Sequence, residues 1–252
     1  MTEAKRAEPA ATQARDRLIV ALDVERAENA RRIVDELRDL AGAFKVGLQL
    51  FTSAGPDFVR ELCESGLNIF LDLKFHDIPN TVARAGVEAA RLGVWMFNIH
   101  ALGGNLMMRQ TVYEVGNFCE SNGISRPKII AVTVLTSSSD DTLREIGIQD
   151  NAGGQVARLS ALAKQSGLDG VVASPLESSG VRAECGPEFT IVTPGIRPKN
   201  ASNDDQRRVM TPSGAVRSGA DFLVIGRPIT EAEDRRNAVD RILKEILSVA
   251  NE

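Results

Sequence analysis

The chain lacks the features that would assign it to several large classes of protein. Its 252 residues include only three cysteines, Cys63, Cys119 and Cys185, odd in number, widely spaced and without a CxxC pair. That spacing fits neither a disulfide framework nor a thiolate zinc cluster, and it does fit small buried thiols in a reducing cytosol. No apolar run reaches the length of about 18 residues that a membrane span needs. Residues Met1 to Arg15 are rich in Ala, Glu, Lys and Thr without a signal peptide's apolar stretch, so residues 1–16 are expected to be a disordered leader on a soluble, cytoplasmic protein. Excess charge of one sign is also missing. A formal charge of −4 and a pI near 5.4, with acidic and basic residues interspersed, leave no footprint for nucleic acid or for an anionic membrane. Any phosphate must then be held by a local site. No GxGxxG turn follows the first strand candidate, and no HExxH or other tight metal-ligand spacing occurs.

What is present is a regular alternation. From Arg17 onward, short β-branched apolar runs alternate with longer stretches whose apolar residues recur at helical spacing. The strand candidates are Leu18–Asp23, Ala43–Leu48, Asn68–Leu73, Met96–His100, Ile129–Leu135, Gly170–Ala173, Thr190–Thr193 and Phe222–Ile225. Between them fall helical patterns over Ala27–Leu40, Asp57–Ser65, Thr81–Leu92, Asn105–Ser121, Gln155–Gln165 and Asp234–Val249. With 43% apolar content, one sizeable core is available. The simplest architecture is a single-domain α/β fold over residues 17–252, a (β/α)8 TIM barrel. A doubly wound open sheet is the alternative, without its usual nucleotide fingerprint.

Polar and charged residues crowd at the downstream ends of the strands. Asp23 closes the first, Lys45 sits within the second, Asp72 and Lys74 close the third, His100 the fourth, Thr136 and Ser137 the fifth, and Arg227 follows the eighth. In a βα barrel these ends converge on one face, where the chemistry of such folds is found. In extended chain Asp72 and Lys74 point to the same side, and Lys45 on the neighbouring strand reaches the same space. The result is a line of alternating charges in which carboxylates keep the lysines ionised. A purely structural ion-pair network is the commoner meaning of an isolated Asp-x-Lys, and position on the catalytic face shifts the balance towards chemistry. His76 and His100 read as hydrogen-bonded scaffold, and no metal is expected.

The segment after the seventh strand reads Thr193-Pro-Gly-Ile-Arg197-Pro, and the eighth strand runs into Gly226-Arg227-Pro. Loops in these two positions commonly hold a phosphate in βα barrels. Gly226 permits close approach of backbone N–H groups, and the Arg227 guanidinium offers a two-pronged donor. Residues Asn200–Thr211, with Asn203, Asp204, Asp205 and Gln206, are polar enough and long enough to act as a lid.

The segments LIVALDV, FKVGLQLF, LDLKFHDIPNT, VTVLTSS, VTPGIRP, DDQRRVMTP and VIGRPIT resemble, in order, the site segments of the orotidine 5′-monophosphate decarboxylases. The likeness runs from about Leu18 to the last helix, and DLKFHDIPNT is its most specific part. It implies cofactor-independent conversion of orotidine 5′-monophosphate to UMP and CO2. It implies a catalytic tetrad of Lys45, Asp72, Lys74 and Asp77, the last contributed across a homodimer interface. It further implies Asp23 and the partner chain's Thr81 at the ribose, Thr136 and Gln206 near the pyrimidine, and Arg197, Gly226 and Arg227 at the phosphate, with Gln206 bridging base and phosphate as the lid closes. Two other readings remain open at this point: a metal-dependent sugar-phosphate decarboxylase or aldolase-like barrel that reuses DxK, against which HDIPNT and Gln206 argue, and a non-catalytic nucleotide-binding barrel.

Overall fold

Residues 12–198 and 209–250 are described by the computed structural model. Runs such as Leu18-Ile-Val-Ala21 and Phe222-Leu-Val-Ile225 carry branched aliphatic side chains that pack on both faces of a pleated sheet, the pattern of a buried parallel strand. Eight strands form: β1 (Leu18–Ala21), β2 (Ala43–Gly47), β3 (Ile69–Phe75), β4 (Met96–His100), β5 (Lys128–Val132), β6 (Gly170–Val172), β7 (Thr190–Thr193) and β8 (Phe222–Ile225). Each pairs in parallel with the next, and β8 pairs with β1, so the sheet closes into a barrel with helices around it. The closed barrel expected from the alternation is therefore the fold, and the open sheet is not.

The core has two parts. Between sheet and helices lies a continuous apolar shell that includes Val20, Phe44, Leu71, Phe97 and Ile129. Inside the barrel a second cluster, Ile19, Ala21, Ala43, Phe70, Met96, Ile130, Val192 and Val224, plugs the lumen. Strand side chains alternate between the faces, so the next residue on the inner face of each strand stands one layer above this plug. Reading up from Ala21, Ala43, Phe70 and Met96, that layer is Asp23, Lys45, Asp72 and Asn98. The polar layer above the plug on these four strands follows from parity alone.

Several local expectations are corrected. A disordered leader is expected over residues 1–16, yet residues 12–16 are helical and Ala14 is buried. This turn packs against the barrel so closely that a Cβ on Gly42 would lie 2.6 Å from the Cα of Asp16. Residues 1–11 lie outside the described residues. The second helix starts at Leu48, directly after β2, not at Asp57, and breaks at Gly55 (φ 76°) before Pro56. Its apolar periodicity reads coherently only beyond that break. Helices Asp140–Glu145, Ser178–Cys185 and Pro212–Arg217 are too short to show a period in sequence. β5 ends at Val132, before the expected Leu135, and β3 continues past Leu73 to Phe75.

Barrel closure depends on a close approach between β6 and β7. A Cβ on Gly170 would stand 2.1 Å from the backbone oxygen of Thr190 and 2.6 Å from its Cβ. Because the obstacle includes backbone, Gly170→Ala is expected to lower stability by about 1–3 kcal/mol or more, read as a lower urea midpoint with unchanged slope. An unchanged midpoint would show that the two strands can separate without cost.

Candidate active site

The layer above the apolar plug is a chain of paired charges. The Nζ of Lys45, on β2, donates to Asp23 Oδ1 at 2.9 Å and lies 3.2 Å from Asp72 Oδ2. The Nζ of Lys74 donates to the other oxygen of Asp72, Oδ1, at 2.7 Å. Asn98 completes the shell of that oxygen, its Nδ2 donating at 2.7 Å. Asp72 thus accepts from three side chains at once. Lys45 is almost wholly buried, and Lys74 is about one-third open to the cavity, with its side chain 30% exposed.

Burial opposes charge at both central groups, and the neighbours outweigh it. Desolvation would lower the Lys45 ammonium's affinity for its proton, but Asp72 and Asp23 together raise it above the ordinary lysine value. Desolvation would likewise raise Asp72, yet Lys45, Lys74 and the hydrogen bonds from Lys74 and Asn98 hold its carboxyl below the usual aspartate range. Lys45 and Asp72 therefore stay ionised at neutral pH despite their burial. Gly47 makes room for it: a Cβ there would come within 3.0 Å of Lys45 Nζ.

Strand parity alone does not deliver Lys74 to this position. Between Leu71, opposite Phe97, and Phe75, opposite Ile99, β3 takes four steps while β4 takes two. The surplus forms a bulge, and within it Lys74 adopts φ 53°, the sole positive φ outside glycine among the described residues. Such a conformation costs a non-glycine residue about 1–3 kcal/mol and persists where the surroundings over-determine it. Bulges commonly re-aim a side chain beside a functional site. Here the Lys74 backbone N–H finds its acceptor in the side chain of Asn98, at 2.8 Å.

The charges line one wall of a cavity of about 520 Å³ at the strand ends. Asp23, Lys45, Asp72 and Lys74 stand on the β1–β3 side, and Arg197, Gly226 and Arg227 follow β7 and β8. In a closed ring of eight strands, β3 and β7 are diametrically opposed. An elongated ligand can therefore meet alternating charges at one end and guanidinium groups at the other. The floor between is apolar, from Phe70, Val132, Val172 and Val224, and Thr136 lines the side.

Not every expected residue joins this cavity. Asp77 is exposed just beyond β3, its Oδ1 accepting from the Ile78 N–H at 2.6 Å, and Thr81 is exposed on the following helix, Pro79–Arg91. Neither lines the cavity of its own chain. Gln206, and with it most of the expected lid, lies outside the described residues. His76 and His100 pair their rings at 5.3 Å, and burial, then His76 and Lys74, lower the proton affinity of His100. Among the described residues, no group of three or more His, Cys, Asp or Glu side chains is placed to hold a metal. Sequence reasoning passes over Asn98 and Glu231, both of which the structure brings to the site. A signal for Asn98 exists, as a lone amide within the apolar strand Met-Phe-Asn-Ile-His.

Residues 16–242 match the family described as Orotidine 5′-phosphate decarboxylase / HUMPS family. The chain belongs to this family. It is 52% identical over 240 residues to the orotidine 5′-phosphate decarboxylase of Syntrophotalea carbinolica, covering 95% of this chain and 98% of the relative. With that of Geobacter sulfurreducens it shares 53% identity over 236 residues, covering 94% and 98%. A crystal structure of orotidine 5′-phosphate decarboxylase from Lactobacillus acidophilus superposes with a TM-score of 0.80 at 41% identity, covering 91% of this chain and 98% of the other. In this member of the orotidine 5′-phosphate decarboxylase / HUMPS family, Asp72 of the DxK segment contacts both Lys74 of the same segment and Lys45 of β2.

The pairing makes a stability prediction. Asp72→Asn removes the shared anion and leaves two ammonium groups facing a neutral amide. At pH 7 the cost is expected to be about 3 kcal/mol, the low end for a broken buried pair because Asp23 still neutralises Lys45. The native carboxyl binds its proton less readily than the ordinary value of 3.8, so its contribution is complete above that pH and is lost as pH falls through the native value. Urea unfolding of both proteins should give a gap that is constant from neutral pH down to about pH 5 and narrows below the ordinary aspartate value. A gap that widens in acid would contradict the ion-pair account.

Proposed function

We propose that the chain decarboxylates orotidine 5′-monophosphate to UMP and CO2, the last step of UMP synthesis. The observation that carries this is the Lys45–Asp72–Lys74 chain on one wall of a cavity with Arg197 and Arg227 opposite, in a member of this family. Arg197 and Arg227, with Gly226, take the 5′-phosphate, and Asp23 the ribose hydroxyls. The base lies over the apolar floor beside Thr136, which brings C6 towards Lys74. Gln206 spans base and phosphate from the lid segment.

When the bond from C6 to the carboxylate breaks, CO2 departs and the electron pair stays in the ring plane, outside the π system. No acceptor within the substrate takes up that charge, so a fixed cation must. Lys74 stabilises the developing carbanion, then transfers a proton to C6, and the resulting neutral amine is reprotonated from water. The electron count needs no external oxidant or reductant, and the reading assigns no cofactor and no metal. Preorganised charge of this kind, already desolvated and in place, typically contributes more to such catalysis than any other single effect. Asp72 pairs with both lysines, and it also faces the substrate carboxylate until CO2 leaves. Binding energy from the distant phosphate is available to assemble the site.

Asp77 and Thr81 complete the site of a second copy. Their exposure on their own chain supports this, as do the neighbouring apolar side chains Ile78 and Leu106, 66% and 70% exposed, which a two-fold interface would cover. His76, next to Asp77, approaches Gly103 of the segment that carries Leu102 and Leu106, so these residues share one surface. A cytoplasmic homodimer acting on a free nucleotide accords with the lack, among the described residues, of any helix long and apolar enough to cross a membrane. Neither nucleic acid nor a membrane is a partner in this reading.

The direct test follows orotidylate absorbance with purified protein in EDTA. Wild type is expected to consume the substrate, and Lys74→Ala to lose at least about 10²-fold in kcat, the typical cost of one preorganised donor. An inert wild type would remove the proposed activity, and a Lys74→Ala enzyme retaining more than about a hundredth of the rate would remove the role of Lys74.

Shared sites lend themselves to complementation. Asp77→Ala and Lys74→Ala chains should each be nearly inactive, but a mixed dimer has one doubly defective site and one intact site. Equal mixing makes about half the dimers mixed, so recovery of roughly a quarter of wild-type activity per chain is expected after co-refolding. No recovery, with mixed dimers verified by native mass spectrometry, would return Asp77 to its own chain's site.

A further inference from the structure

Asn98 lies at the centre of β4 and is fully buried, and none of the roles above uses it. We propose that Asn98 is a positioning residue for the reacting pair: its side-chain amide holds the Lys74 backbone in the left-handed region and fixes the rotation of the Asp72 carboxylate. This rests on the decarboxylation reading, because it concerns how Lys74 and Asp72 are held for that reaction.

The bulge in β3 removes Lys74 from the regular ladder, and a backbone N–H left without an acceptor in a buried site is costly. Asn98 Oδ1 supplies the acceptor at 2.8 Å. The orientation of the amide is determined by chemistry, since a backbone N–H can only donate and an ionised carboxylate can only accept. Its oxygen must therefore face Lys74 and its NH2 must face Asp72, where Nδ2 to Oδ1 is 2.7 Å. The same Asp72 oxygen accepts from Lys74 Nζ at 2.7 Å. One planar group thus ties the backbone of Lys74 to the carboxylate that its own side chain grips. Leucine would fill a similar volume but offer neither bond, and aspartate would keep the acceptor while turning the donor into a second anion. A residue serving only the scaffold would spend its hydrogen bonds on the scaffold, and the Asn98 amide instead donates to the Asp72 carboxylate while its oxygen supports the backbone of Lys74.

The test uses the full-length chain with Asn98→Ala and Asn98→Asp, each checked for folding by thermal melting. In Asn98→Ala, kcat is expected to fall about 10²-fold, as misplacement by about 1 Å can do, while the dissociation constant of UMP changes by less than about threefold. The acid limb of the kcat profile should move to higher pH, because Asp72 has lost a donor that favours its ionised form. It should move further in Asn98→Asp, which sets a second carboxylate against Asp72. If Asn98→Ala does not fold, the nearly isosteric Asn98→Asp carries the same readouts. A folded variant with kcat within about threefold of wild type overturns the proposal, as do parallel losses in kcat and UMP affinity with an unmoved acid limb, which mark general damage. A wild-type chain inert towards orotidine 5′-monophosphate overturns the function and this inference together, a result distinct from an active wild type with an unimpaired variant.

Discussion

The carboxylate of Asp72 is the group on which the upper face of the barrel depends. Its side chain is only 13% exposed, and it touches Lys45 through one oxygen and Lys74 through the other. Without it, two ammonium groups would face each other with no anion between them, one of them, Lys45, almost wholly buried. With it, each ammonium group has a counter-ion in direct contact, where a low-dielectric site strengthens every fixed interaction. The same contact has an energetic counterpart. A desolvated ion pair seldom adds to stability relative to apolar packing, so its presence in the middle of a barrel is better explained by chemistry than by folding.

Local strain and global topology then divide the work. The bulge in β3 and the left-handed backbone of Lys74 aim one ammonium group into the cavity, supported by an amide from the neighbouring strand. Closure of the sheet places the arginines of the β7 and β8 ends across from it. Between them lies the apolar floor of Phe70, Val132, Val172 and Val224. The two arginines and the Lys45–Asp72–Lys74 chain are thus held apart across the width of the barrel.

Much of this is legible in the chain itself. The eight strand runs, the crowding of polar groups at their downstream ends, and the meeting of Lys45 with Asp72 on neighbouring strands all follow from periodicity of two within strands and from the convergence of strand ends. The resemblance carried by DLKFHDIPNT names the family. Other features leave no periodic signal. The helical turn over residues 12–16 depends on Ala14 finding the barrel and on Gly42 leaving space, and the kink at Gly55 masks the first half of its helix.

The sequence by itself therefore determined the fold class, the face that carries the chemistry and the charge types on it, because burial and strand alternation are properties of a residue and its near neighbours. Only the tertiary structure decided how Lys74 is aimed and what supports it. Strict alternation would have set Lys74 directly above Asp72 on a regular strand. The observed bulge, the positive φ and the partnership with Asn98 arise between β3 and β4, from residues 24 and 26 positions apart in the chain. Hydrogen bonds across that separation exist only once the strands have paired, and no local pattern in either strand encodes them.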